Sequence, residues 1–141
     1  MNEMIFEPYA VHLDFQMDAP IEADDWRLIL SELLETYASQ CSKAGPCVIG
    51  HIKGFAHGND DTFLKVSVVS PNHPADIDGN MKGGISELSL VLNVLVYGQP
   101  KETLAQHLLE LVNIPGKIWT GHVAVVPAVH EHDHIKNEVE G

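Results

Sequence analysis

The stretch Ile85-Ser-Glu-Leu-Ser-Leu-Val-Leu-Asn-Val-Leu-Val-Tyr97 decides the fold. Leu88, Leu90, Leu92, Val94 and Val96 fall on one side, and Ser89, Val91 and Asn93 on the other. Alternation at period two predicts a long strand with one greasy face. Gly98-Gln99-Pro100 follows and opens a helix over residues 101–112. Its apolar stripe is Leu104, Leu108, Leu111 and Val112. Ile114-Pro115-Gly116 breaks that helix, and residues 119–126 read as a final strand.

Working upstream, residues 71–84 carry two prolines, three glycines and two aspartates, which predicts a loop. Residues 47–57 and 63–70 read as two strands joined at Gly58-Asn59-Asp60-Asp61. Residues 22–42 form the clearest helix. Trp26, Ile29, Leu30, Leu33, Leu34 and Tyr37 recur at three- and four-residue steps. Asp24 and Asp25 suit the positive end of its dipole, and Gly45-Pro46 stops it. Residues 9–17 alternate as a half-buried strand that ends at Asp18-Ala-Pro20, and the residues before it read as a loose head.

The order is therefore β-α-β-β-β-α-β. Two helices with one greasy face each suit one side of a sheet, an α+β two-layer sandwich. The expectation is a mainly antiparallel five-stranded sheet, ferredoxin-like with one added strand. Residues 1–129 are expected to form a single domain. Residues 130–141 are expected to form a polar, His-rich, mobile tail.

The chain has 141 residues, 45% of them hydrophobic, which allows one buried core and argues against disorder. Eight basic against twenty acidic residues give a formal charge of −12. Such a surface repels phosphate backbones and anionic lipid, so neither nucleic acid nor membrane is an expected partner. No apolar run approaches the roughly 18 residues that span a bilayer. Met1-Asn2-Glu3-Met4 lacks the basic start of a secretory signal, so a cytoplasmic location is expected. There Cys41 and Cys47 would be reduced thiols. Their spacing matches neither a CxxC redox motif nor a zinc knuckle.

Side chains alternate across strands, so the polar positions of several strands share one open face. His12, Asp14, His51, Lys53 and Lys65 are the candidate site residues, with Gln16, Ser67, Ser89, Asn93 and His122 beside them. Ile49 and Phe55 are expected on the same side as His51 and Lys53. This set suits a small anion on Lys53 and Lys65, a metal on His12 and His51, acid–base chemistry, or a second subunit. The plain alternative is a solvated sheet. Gly50 and Gly54 share parity with Ile52, which favours tight helix packing over a ligand's approach.

His130, His132 and His134 alternate with carboxylates and suit nickel, zinc or copper. Asp76-x-Asp78-Gly79 lacks the later ligands of a calcium loop and reads as an ordinary turn. No Gly-x-Ser-x-Gly elbow is present, so the serine-hydrolase route has no support; His130-Glu-His-Asp-His134 carries the His-Glu-x-x-His spacing but is read as part of the polar tail, not as the helix a metalloprotease needs. A cysteine nucleophile lacks any local sign of a lowered pKa. His57 reads as turn-flanking, and His107 as the edge of a buried stripe. The expected role is a small non-catalytic binding or assembly module that self-associates through its sheet into a homo-oligomer. A small enzyme or ligand sensor on the His/Asp/Lys face is the first alternative. Metal handling by the tail is the second.

Overall fold

A computed structural model describes residues 5–59, 61–113 and 121–127. The elements in chain order are β1 (Tyr9–Ile21), α1 (Ala23–Lys43), β2 (Val48–His57), β3 (Phe63–Val68), β4 (Asp76–Asn80), β5 (Ile85–Tyr97), α2 (Lys101–Val112) and β6 (Gly121–Pro127). The strands form one six-stranded sheet in the order β4-β3-β2-β5-β1-β6. Every pairing is antiparallel.

Alternation explains the layers. Val11, Leu13, Phe15 and Met17 of β1 are buried, while His12, Asp14 and Gln16 are exposed. β5 buries Leu88, Leu90, Leu92, Val94 and Val96 in the same way. Against this face lie Trp26, Ile29, Leu30, Leu33 and Leu34 of α1, with Leu104 and Leu108 of α2. Phe15 and Trp26 meet edge to face at 5.8 Å. The polar tips of buried aromatics find carbonyls: Trp26 Nε1 donates to Ile85 O at 3.1 Å, and Tyr37 Oη donates to Leu104 O at 2.8 Å. The second bond ties one helix to the other and contributes about 1 kcal/mol.

The sheet has six strands where five are expected. β4 lies inside the stretch read as a loop. Of its five residues only Ile77 is a strong strand former, so composition hid it. It holds because Asp78 and Asp76 pair with Lys65 and Ser67 of β3, and Ile77 packs on the core. Gly79 sits at φ +145, where a Cβ would run into Phe63 O and lie 2.9 Å from Leu64 Cα. Helix α1 also stitches this edge. Ala75 N donates to Glu35 Oε2 at 2.7 Å, and Arg27 donates to Gly79 O at 3.3 Å.

Asp18-Ala-Pro20 does not end the first strand; β1 runs on to Ile21 through a register shift after Gln16. Proline is tolerated there because β6 pairs only up to Met17, which leaves that backbone on an edge. The head is not loose from Ile5 onward. Gly98 N donates to Ile5 O at 2.7 Å, Phe6 stacks on Tyr97 at 4.3 Å, and Glu7 Oε1 accepts from Lys101 N at 2.9 Å. A carboxylate at that helix start is favoured by the dipole. The expected break at residues 114–116, Trp119 and the tail lie outside the described residues.

Gly50 breaks the expected parity of β2. Ile49 pairs with Val96 and His51 with Leu95, so Gly50 is the extra residue of a bulge. Ile49 therefore turns toward the core instead of the open face. Gly50 itself is exposed, and a Cβ there would lie 3.3 Å from the Tyr97 ring and 3.1 Å from Leu95 O. Gly54 does face the helices, as parity indicates.

Candidate functional site on the open sheet face

Strand register decides which outward side chains are neighbours. One row across the sheet runs Asp76, Ser67, Lys53, Asn93. The next runs Asp78, Lys65, Phe55, Val91, His12, Val126. A third runs Asn80, Phe63, His57, Ser89, Asp14, Ala124. Gln16 lies between Glu87 and His122.

All five sequence candidates lie on this face, and they split into separate groups. Lys53 and Lys65 share a hollow of ≈ 460 Å³ with Phe55, Ser67, Asp76, Asp78 and Asn93. Asp14 is elsewhere and accepts a hydrogen bond from Ser89 Oγ at 3.0 Å. His12 sits opposite Val91 and His51 opposite Leu95, on either side of β5. Sheet spacings then separate their Cα atoms by about 16 Å, too far for both imidazoles to close on one ion at bonds of about 2 Å. The structure does not bring His12 and His51 together as metal ligands. Among the described residues no three His, Cys, Asp or Glu side chains form a metal-holding group. The tail histidines His130, His132 and His134 lie outside the described residues.

Asp76 and Asp78 join the hollow although the sequence places them in a turn. Their signal was the alternation Asp-Ile-Asp, carboxylates out and isoleucine in. His57 reads as turn-flanking but points outward from the end of β2, tilted over Phe55 at 6.1 Å. Phe55 also stacks on Phe63 at 6.1 Å and 19°. These three rings form an aromatic cluster at this end of the face. A second hollow of ≈ 650 Å³ runs over it and shares Phe55 and Lys65 with the first.

The cysteines offer no nucleophile. Both are free thiols, Cys41 is fully buried, and burial pushes its thiol up to about 12. Cys47 donates to Cys41 O at 3.4 Å, and burial raises its pKa too. A raised pKa keeps the thiolate scarce near neutrality. His107 lies half-buried on α2 as expected, with Nε2 enclosed.

No family model, no curated protein and no solved structure matches this chain. Function therefore rests on the geometry of the face. No helix among the described residues is long and apolar enough to cross a membrane.

Proposed function

We propose that this protein is a small binding module that pairs with a second copy of itself through the open sheet face. The observation that carries this reading is the apolar row Phe55, Val91, Val126 running across β2, β5, β1 and β6, broken only by His12. Phe55 is 42% exposed and Val126 44%. Apolar side chains aligned on three of four adjacent strands are more than scattered surface residues supply.

Area supports the same occupant. Each strand residue covers about 16 Å² of sheet, so the six strands present roughly 900 Å². A standard interface uses about 800 Å² per partner. Charge supports it as well. The face carries Lys53 and Lys65 along with Asp14, Asp76 and Asp78. A two-fold axis can therefore set ammonium against carboxylate.

The reading includes a ferredoxin-like framework. Its support is the order β6-β1-β5-β2, in which each helix links two strands with one other between them. The hairpin β3–β4 then extends one edge. A cytoplasmic setting is also part of the reading, supported by two free thiols.

Sedimentation velocity of the full chain across micromolar concentrations tests the proposal. The native chain should sediment as a dimer. Val126→Lys, and Val91→Lys combined with Val126→Lys, should give monomers with unchanged far-UV spectra. A native chain that stays monomeric throughout, or lysine variants that remain dimers, overturns it.

A further inference from the structure

We infer that the β2–β3–β4 end of the open face is a binding site for a small organic anion with a flat apolar body. The head group is a carboxylate or a phosphate monoester. The inference needs only one chain, so it does not rest on self-association.

The cradle is the Ser67, Lys53 and Asn93 part of one row, which Asp76 closes on β4. Lys53 has Ser67 opposite it on β3 and Asn93 opposite it on β5. Neither directly opposite neighbour is a carboxylate. Lys65 differs, because Asp78 stands opposite it on β4. An ammonium flanked by a hydroxyl and a side-chain amide supplies O–H and N–H donors around one point. Charge-assisted bonds of this kind are the strong ones. Lys65, the diagonal neighbour, places a second positive charge about 7–8 Å away along the same face.

The apolar half of the ligand has its own surface. Phe55 follows Lys53 at the next outward position of β2, and the Phe63 and His57 rings flank it. A planar body packed against this cluster brings its acidic substituent onto Lys53. The hollow of ≈ 460 Å³ fits a single-ring compound. Its floor is regular sheet, so the donors are fixed by register. The open, shallow form predicts affinity on the millimolar scale for one-ring probes.

Two-dimensional NMR titration of the full chain with benzoate, phenyl phosphate, acetate and benzamide tests this. Benzoate or phenyl phosphate should shift the amide signals of Lys53, Phe55, Ser67 and Asn93, and which one binds tighter identifies the head group. Acetate and benzamide, each holding half of the ligand, should bind at least about tenfold more weakly. Lys53→Met should weaken benzoate or phenyl phosphate by about tenfold or more, and Lys82→Met, away from the hollow, by less than about twofold. No saturable shift with either aromatic anion at millimolar concentration overturns the inference. So does equal weakening by the two methionine variants. Running the titration on the Val126→Lys variant separates this outcome from that of the dimer.

Discussion

Gly54→Ala asks why a central strand carries glycine. Without a steric conflict the change would stabilise the strand by about 0.5–1 kcal/mol, since glycine loses more chain entropy on folding. The structure supplies the conflict. A Cβ at Gly54 lies 2.8 Å from Leu90 Cδ1 and 3.1 Å from Val66 Cγ1. Carbon pairs rest at about 3.5–4.0 Å, so both methyls must move within a packed core. Overpacking of this kind costs about 1–3 kcal/mol. The net loss is then roughly 0.5–2 kcal/mol. For a chain of 141 residues each kcal/mol moves the midpoint by about 3 °C, so Tm should fall by roughly 1.5–6 °C.

Differential scanning calorimetry measures the fall, and a second substitution tests its cause. Leu90→Val removes Cδ1 and alone costs about 1 kcal/mol. Combined with Gly54→Ala it should cost at least about 0.5 kcal/mol less than the two losses added together, because the clash is gone. A Gly54→Ala chain as stable as the native one refutes the packing argument. Strict additivity refutes the named contact. Anion binding on the opposite face should persist in Gly54→Ala, since Gly54 points into the core.

Alkaline stability follows from Cys41. Burial raises its thiol from 9.0 to about 12, so the folded chain keeps a proton that the unfolded chain releases. That stabilisation is complete below about pH 9 and is lost as pH climbs toward 12. Tyr37, raised by burial with Cys41 beside it, adds loss of the same sign above its ordinary value of 10.0. Urea midpoints at rising pH should fall, and less steeply in Cys41→Ala; equal slopes would remove Cys41 from the account. Because no metal-holding group exists among the described residues, nickel, zinc or copper retained by untagged protein should depend on His130, His132 and His134. A chain ending at Val129 should lose that metal in elemental analysis, and equal metal in both chains would end the tail reading.

Parity was legible in the sequence, and register was not. The alternation of β1 and β5 says which side each residue faces, because a strand has only two sides. It does not say which residue of a neighbour stands opposite. That is why His12 and His51 looked like partners, when they stand on either side of β5 and four positions apart along it. Lys53 and Lys65 do meet, since the short turn after Gly58 fixes the β2–β3 register locally. Gly50 shows the other limit. One unpaired residue inverts every inference upstream of it, so Ile49 went to the core. β4 was illegible for a third reason. Its stability comes from β3 and from Glu35 and Arg27 of α1, contacts that no window of five residues contains.

The same geometry divides the open face into two unlike halves. With both helices on the other side, it must meet water, a ligand or another chain. At the β6 end the outward residues are Val126, Ala124 and His122, with no ammonium among them. At the β4 end they are Asp76, Asp78, Lys65 and Lys53 around a hollow. Apolar surface gains from burial whatever its partner's orientation, whereas an ammonium loses hydration and regains it only from a well-placed anion. A second copy is therefore drawn to the β5–β1–β6 half. The Lys53 row is left toward the rim, where a small anion can still reach it. An interface centred toward β6 keeps the Lys53 row at its margin, and so pairing and ligand binding can coexist on one sheet.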